Sequence, residues 1–149
     1  MMTYPPAPPV AGHRLDGDGT YVIDKAENAA LCRSTGVEPA TDGTAHPAYY
    51  YIATQVAMGQ TVAGLCALCD FDIEQGPMMA SSRVDFQDAL RTGVAYRVTG
   101  EIIGLTRKPS RKLGLMDMLE YRLRLHGPDG TVVLEATNVW VLPRRELLS

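Results

Sequence analysis

Asp42 and His46 are two side chains in the first half of the sequence that could exchange protons with a substrate. An imidazole titrates near neutral pH, and a nearby carboxylate can share acid and base work with it through one water molecule. We therefore treat the two residues as a candidate acid/base pair. The alternative is structural: His46 caps or packs at the start of a helix, and Asp42 is a turn residue.

Four basic residues lie close together further along the chain, at a predicted turn between two strands. The whole chain has a formal charge of −3, so this local basic group is a candidate clamp for the phosphates of a ligand. The other interpretation is a solvated turn. The residues are Arg107, Lys108, Arg111 and Lys112.

Tyrosines and methionines are the candidates for an apolar binding channel. Tyr49, Tyr50 and Tyr51 occupy successive positions of a predicted helix, so they cannot all face the same way. Some of them are expected to line a channel, although a core position with a bonded hydroxyl fits equally well. Flexible methionines could form an adaptable wall or plain core. They are Met78, Met79, Met116 and Met118.

The cysteines do not form a pattern that predicts a metal site. Cys66 and Cys69 have C-x-x-C spacing, but a four-ligand zinc site needs a second pair, which the sequence lacks. We expect two small buried thiols on an alanine-rich helix, and neither a metal nor a cofactor. Three cysteines and the absence of a basic-then-apolar leader favour the cytoplasm.

Length and composition predict one globular domain. The chain has 149 residues, of which 46% are hydrophobic and 21% charged, as is usual for a folded protein. This composition excludes a disordered chain, and a pI near 5.5 argues against a general nucleic-acid binder. Four prolines between positions 5 and 9 predict a polyproline arm over residues 1–12, either flexible or laid on a surface. Residues 13–149 then form the domain.

The most informative segment is a run without any charged side chain, from position 43 to position 69. A helix that is apolar on all sides is usually buried in a core or in a membrane. Polar and helix-breaking residues interrupt this run too often for a membrane span. We predict a helix from Pro47 to Met58, a break at Gly59, and a second short helix that ends near Cys69. An earlier helix, capped by Asp24, should run to about 34.

Strands dominate the rest of the chain. A short strand is predicted at 20–23 and longer ones at 78–86, 96–106, 115–125 and 132–142, separated by turn signals that suggest hairpins. The dipeptide Asp129-Gly130 is the strongest of these signals. The order is therefore one strand, helices, and four successive antiparallel strands. A curved antiparallel sheet wrapped around the uncharged helix would bury it.

The order and spacing of these segments resemble the hot-dog fold of the MaoC-like acyl-thioester hydratases and dehydratases, in particular their N-terminal MaoC-like dehydratase branch. The similar pieces are the strand into an alanine-rich helix at 21–34, the loop from Gly36 into 46–53, the turn at 86–93, the hairpin at 107–114 and the Asp129-Gly130 turn. The resemblance implies an α+β hot-dog fold, a curved antiparallel sheet around a central buried helix.

The same resemblance implies a function. The family hydrates enoyl thioesters or dehydrates 3-hydroxyacyl thioesters, (R)-specifically, with coenzyme A or an acyl-carrier protein as the thioester partner. It implies a homodimer, or a heterodimer with another hot-dog subunit, and neither nucleic acid nor membrane as a partner. Two alternatives stay open: a non-catalytic subunit that shapes the acyl pocket of a paired MaoC-like hydratase, and an acyl-CoA thioesterase. Residues 47–69 hold no carboxylate, which makes the thioesterase the weaker alternative.

The resemblance also implies site residues, but this sequence departs from the family's catalytic pattern. The family pattern D-x-N-P-x-H is matched loosely by Asp42 and His46, because the spacing is one residue short and Asn-Pro is missing. Glu38, followed by a proline, could supply the carboxylate instead. The amides of residues 48–50 would then polarise the thioester oxygen. Expected substrate contacts are Tyr49, Tyr50, Gly76, Arg107, Lys108, Arg111 and Lys112.

Overall fold

The computed structural model describes residues 3–148. One antiparallel sheet has the strand order β1-β3-β4-β5-β2. Its strands are β1 (Tyr21–Val22), β2 (Met78–Phe86), β3 (Ala95–Ser110), β4 (Gly114–His126) and β5 (Val132–Pro143). The helices are α1 (Lys25–Ser34), α2 (Tyr49–Ala57) and α3 (Val62–Leu68), with 3₁₀ turns at Ile73–Gln75 and Arg145–Leu147. The α+β class and the curved antiparallel sheet are confirmed.

Local sequence signals set the ends of the helices. The carboxylate of Asp24 accepts a hydrogen bond from the Glu27 amide at 2.9 Å, as predicted for a helix cap. Thr61 caps α3 in the same way by accepting from the Gly64 amide. Between α2 and α3 the chain breaks at Gly59, whose amide donates to the Leu15 carbonyl at 2.8 Å. A β-carbon at Gly59 would collide with the backbone of the N-terminal segment, so the crossing needs glycine there.

The apolar helix α2 is covered on one side only. Its buried residues are Tyr49, Ala53 and Thr54, whereas Val56 is 66% exposed. The prediction of a central buried helix inside a curved sheet is confirmed, although in the single protomer the concave face of the sheet reaches only part of the helix surface. Within residues 3–148, no single helix is long and apolar enough to cross a membrane; α2 and α3 pass that test only as a pair bent by 64°.

The predicted hairpin between β2 and β3 is also wrong. β2 pairs with β5 at one edge of the sheet, while β3 lies three strands away and pairs with β4. The connection at 87–94 crosses the end of the sheet and is held there by the loop before α2, since Ala45 donates to the Leu90 carbonyl at 2.7 Å. Turn residues mark where a strand ends, but they do not determine which strand it pairs with.

The N-terminal arm lies along β3. Gly12 donates to the carbonyl of Ile102 at 2.7 Å, and Leu15 donates to that of Gly100 at 2.8 Å. Further out, one Arg107 nitrogen donates to the carbonyls of Pro5 and Pro6 at 2.8 and 3.0 Å. The arm is thus tied to the sheet at two places.

The arginine that holds the arm belongs to a buried ionic cluster. Asp117 is fully buried and accepts two hydrogen bonds from Arg107, at 2.7 and 2.9 Å. Arg144, also buried, donates to the same carboxylate at 3.4 Å and to the Cys69 carbonyl at 3.2 Å. The cluster therefore joins the ends of three strands to α3 and to the arm.

Replacing Asp117 by Asn should destabilise the fold strongly. Arg107 would stay buried without a countercharge, whereas Arg144 would keep its ion pair with Glu146 at 2.9 Å. Breaking a buried pair costs about 3–5 kcal/mol. Urea denaturation measures the change in the free energy of unfolding. Glu120→Gln is the matched control, since that side chain stands on the outer face of the same strand, and it should change stability by less than about 0.5 kcal/mol. Equal losses in the two variants would contradict a structural role for the cluster.

Candidate functional site

His46 is half-buried in the turn that leads into α2. Its Nδ1 accepts a hydrogen bond from the Ala48 amide at 3.0 Å, so in this arrangement the other ring nitrogen carries the proton. That Nε2 lies 3.4 Å from the Thr35 hydroxyl at the end of α1. The His46 amide donates to Asn28, a buried side chain of α1, at 2.8 Å. All of these contacts fix the loop between α1 and α2.

Asp42 lies on the exposed side of the same loop. Its carboxylate accepts from the Thr44 amide at 3.0 Å, and this hydrogen bond lowers the carboxyl pKa. Within residues 3–148, no hydrogen bond or ion pair joins Asp42 or Glu38 to His46. Asp42 and Glu38 instead border an open cavity of about 610 Å³, together with Asn28, Lys25 and others. The structure therefore does not bring the candidate pair together in the protomer.

The first amides of α2 already have acceptors. Those of Tyr49, Tyr50 and Tyr51 donate to the carbonyls three residues earlier, at 3.0–3.1 Å, and the Ala48 amide donates to the His46 ring. A thioester oxygen placed at this end of α2 would have to compete with these bonds. The oriented donors that an enolate needs are thus not free in this conformation.

A cavity of about 350 Å³ opens beside the start of α2. It lies between Ala45 and Pro47 on one side and the chain at 86–90 on the other. Phe86, which is 42% exposed, borders this cavity. Met79, near the other end of the same strand β2, is also exposed. Tyr50 of α2 contacts Phe86 beside this cavity. We call the surface formed by Tyr50, Met79 and Phe86 the edge groove.

The three tyrosines have three different environments. Tyr49 is buried in the core, where desolvation raises its pKa. Tyr50 faces the edge groove, with its ring edge-on to Phe86 at 6.3 Å and its hydroxyl 2.8 Å from Ser82. Tyr51 is half-buried, and burial raises its pKa to about 12. Of the three residues, Tyr50 is thus the one whose hydroxyl meets the groove.

The methionines separate into two pairs. Met78 and Met79 are 44% and 40% exposed on the edge strand β2. Met116 and Met118 stand on the outer face of β4, half-buried, because the alternate positions of that strand fill the core. Only Met79 is on the inner face next to the groove, since it pairs with Trp140.

The predicted basic clamp lies at the other end of the sheet. The loop that contains His46 is bonded to the chain just before β3 begins. Arg107 and Lys108 lie near the other end of β3, and Arg111 follows that end, roughly 45 Å along the strand. Arg107 is engaged with Asp117, and its side chain is only 4% exposed. Lys108, Arg111 and Lys112 are exposed at the hairpin tip. Gly76, with φ +83°, ends a 3₁₀ turn before β2, also at that far end.

The cysteines are buried and free, as predicted. Cys66 and Cys69 belong to the hydrophobic core, and burial raises the pKa of the Cys69 thiol to about 12. Such a thiol is not a nucleophile at neutral pH. Residues 3–148 contain no cluster of histidine, cysteine and acidic side chains that could hold a metal ion.

A polar cluster behind the edge groove was not predicted. Ser82 donates to Asn138 at 2.6 Å, and the Tyr121 hydroxyl accepts from Gln55 at 2.8 Å and from Trp140 at 3.0 Å. These residues come from α2, β2, β4 and β5. Each looks ordinary in its strand or helix, because only the pairing of the strands places them together. The polar Asn138 at an inward position of β5 was the one available signal.

Solved structures with the same architecture decide the fold. HadBC, a (3R)-hydroxyacyl-ACP dehydratase complex from Mycobacterium tuberculosis, superposes with a TM-score of 0.68 at 13% identity, over 89% of this chain and 96% of that one. The chain has the hot-dog fold. A MaoC-like dehydratase from Rhodospirillum rubrum gives a TM-score of 0.61 at 17% identity, over 91% and 93% of the two chains.

Hot-dog proteins of a second activity are similar as well. A thioesterase from Thermus thermophilus, solved with coenzyme A and zinc, superposes with a TM-score of 0.55 at 14% identity, over 87% of this chain and 82% of that one. No protein-family model and no curated protein matches the chain. The resemblance to MaoC-like dehydratases is thus confirmed for the fold.

The pattern D-x-N-P-x-H can also be placed on this sequence in a second register. If Pro47 is matched with the proline of D-x-N-P-x-H, the aspartate position falls on Thr44 and the histidine position on Tyr49. Neither side chain is an acid or base at neutral pH. In both registers, then, this chain lacks part of the pattern.

Replacing His46 by Ala should cost about 1 kcal/mol of stability, the usual value of one hydrogen bond between a side chain and the backbone. His46→Asn should lose much less stability than His46→Ala, because an asparagine side-chain oxygen can accept a hydrogen bond from the amide two residues later. Chemical denaturation of the three proteins measures both effects. If Ala and Asn are equally destabilising, the Nδ1 contact does not fix the turn.

Proposed function

We propose that this chain is an acyl-thioester-binding hot-dog subunit of a hydratase/dehydratase, and that a second hot-dog protomer supplies the acid/base pair. The main support is the geometry at the start of α2. Asp42 and His46 bond to separate parts of their loop, and the amides of residues 48–51 are occupied. The fold comparisons, with dehydratases among them, support the thioester chemistry.

The edge groove is the part of the site that this chain provides. Hydration of an enoyl thioester needs a base that activates water, an acid that protonates the α-carbon, and donors for the enolate oxygen. Tyr50, Met79 and Phe86 instead offer an apolar surface that suits an acyl chain. Such a surface is open in the protomer and would become a closed channel when a second protomer covers β2.

The edge strand supports this pairing. β2 bonds to β5 on one side, and its other side is free of a strand within residues 3–148. Unpaired edges invite pairing with another chain. Arg83 and Asp85 are on the outer face, and Asp85 stands directly opposite Glu135. A partner strand with an acid opposite Arg83 and a base opposite Asp85 would balance these charges.

A second copy of the chain meets this requirement. In an antiparallel arrangement centred on Val84, Arg83 of each copy faces Asp85 of the other. The homodimer is therefore the assembly that we assign to the chain alone. A catalytic hot-dog chain with the same charge pattern on its edge would replace one copy. HadBC, which is similar to this chain in fold, is itself a complex.

A charge exchange tests the edge pairing. Asp85→Lys should dissociate the homodimer, because two lysine–arginine contacts would replace two ion pairs. The double variant Arg83→Asp/Asp85→Lys should restore the dimer. Light scattering coupled to size-exclusion chromatography measures the mass of each protein. Arg122→Lys, on the outer face of β4, serves as the control and should remain dimeric. A dimer that survives Asp85→Lys would contradict this register.

Activity measurements test the division of roles. The chain alone should leave the enoyl absorbance of crotonyl-CoA unchanged, and hydration should begin when a catalytic hot-dog chain of the same genome is co-expressed with it. His46→Ala in this chain should then reduce the rate less than twofold, whereas replacing the histidine of the partner's family motif should abolish it.

Two outcomes would contradict this proposal. Hydration by the chain alone that His46→Ala abolishes would make the chain itself the hydratase, with His46 as its acid or base. Release of free thiol from the substrate, followed with a thiol reagent, would indicate the thioesterase. The second outcome has less support, because the helices at 47–69 contain no carboxylate.

A further inference from the structure

The open cavity beside α1, of about 610 Å³, is lined from two sides. Lys25, Asn28 and Arg33 of α1 form one side, and the loop at 38–44 forms the other. We call this space the α1 cavity. Its volume lies in the range of about 300–1,000 Å³ that is usual for sites that bind small ligands.

The wall of the α1 cavity contains a buried hydrogen-bond donor that has no acceptor among residues 3–148. Asn28 is only 3% exposed, and its Oδ1 accepts from the His46 amide at 2.8 Å. Because a backbone amide can only donate, this contact fixes which atom of the Asn28 side chain is the oxygen. The nitrogen Nδ2 is therefore the atom left to bond to a ligand in the α1 cavity. Buried donors are rarely left unbonded, since an unmade hydrogen bond is costly.

Charged side chains of both signs line the same cavity. Lys25 and Arg33 come from α1, and Glu38 and Asp42 come from the loop. Within the described residues, no ion pair joins either cation to either carboxylate. The opposite charges balance, so the cavity does not attract a strongly charged ligand as a purely basic site would. A secondary amide fits better, because its carbonyl accepts from Asn28 and its N–H donates to a carboxylate.

The α1 cavity adjoins the proposed acyl-binding surface. Thr44 lines both the α1 cavity and the cavity beside Pro47, and Phe86 of the edge groove borders the latter. The Thr92 amide donates to the Gly43 carbonyl at 2.9 Å and holds the chain in place at this junction. A ligand with its acyl group in the edge groove would pass Thr44 and extend along α1.

Helix α1 offers a side that is long enough for such an extension. A rise of about 1.5 Å per residue separates Lys25 from Arg33 by about 12 Å along the helix, with Asn28 between them. An extended arm with two amide groups in series fits along this side.

We propose that the α1 cavity binds the pantetheine arm of the thioester, and that Asn28 Nδ2 donates to the carbonyl of one of its amides. Pantetheine is an uncharged chain with two secondary amides, which is the chemistry that this cavity complements. Glu38 accepts from an amide N–H of the same arm. The phosphates of coenzyme A, or the phosphate that joins the arm to a carrier protein, lie outside the cavity. This proposal rests on the proposed function and adds the binding site for the carrier side of the substrate.

Calorimetric titration with three hexanoyl thioesters tests the proposal. They are the thioesters of pantetheine, of coenzyme A and of 2-mercaptoethanol, which has no amide. The wild-type chain should bind hexanoyl-pantetheine at least about tenfold more tightly than the mercaptoethanol thioester, as expected for recovered buried hydrogen bonds. Hexanoyl-CoA should bind within about threefold of hexanoyl-pantetheine and should be insensitive to salt, because no basic clamp holds its phosphates.

Three variants locate the contacts. Asn28→Asp retains an oxygen for the His46 amide and replaces only the nitrogen, so it should weaken binding of hexanoyl-pantetheine about tenfold and leave the Kd for the mercaptoethanol thioester within about twofold. Glu38→Ala, at an exposed position, should weaken binding of hexanoyl-pantetheine at least about threefold and keeps the test decisive if Asn28→Asp does not fold. Glu74→Ala, an exposed acid in the turn before β2, is the matched control and should bind all three thioesters as wild type does.

Equal affinities for the pantetheine and mercaptoethanol thioesters would overturn the proposal and indicate that only water occupies the α1 cavity. A folded Asn28→Asp that binds hexanoyl-pantetheine as tightly as wild type would overturn it as well. Much tighter binding of hexanoyl-CoA that is lost at high salt would indicate a basic surface for the carrier instead. Failure of all three thioesters to bind would contradict the proposed function itself.

Discussion

The sheet covers α2 on one side only, and the rest of the structure depends on that incomplete cover. α2 has no charged side chain, so its burial against the concave face of the sheet drives the packing. Five strands are too few to enclose it. Val56 of α2 is 66% exposed, and β2 is an edge strand of the sheet.

The two ends of the sheet, which the long strand β3 separates, make different contacts. At one end the loop with His46 is bonded to the chain before β3, and the cavity beside Pro47 opens there. At the other end, Asp117 and its two arginines fasten the strands to α3 and the N-terminal arm. A buried ionic cluster of this kind favours one arrangement of those segments over others, since every alternative leaves a charge unpaired.

The polar groups around α2 are engaged with other groups of the protein. His46 and Asp42 accept hydrogen bonds from amides of their own loop, and the first amides of α2 donate to carbonyls of the turn that begins the helix. Tyr121 and Asn138 are buried on the inner face of the sheet, where Gln55, Trp140 and Ser82 bond to them. In the described protomer these groups therefore serve the fold.

Local patterns in the chain were enough to predict the helices and strands, and their order led to the fold class through its resemblance to the hot-dog family. The cap at Asp24, the charge-free segment and the alternation of the later strands are local signals, and all five strands and the three helices lie close to where these signals put them. Tertiary structure alone decided that β2 pairs with β5, that Arg107 is buried against Asp117, and that Asn138 meets Ser82. Such contacts join residues distant in sequence, and their energy depends on which strands become neighbours, which no local pattern encodes.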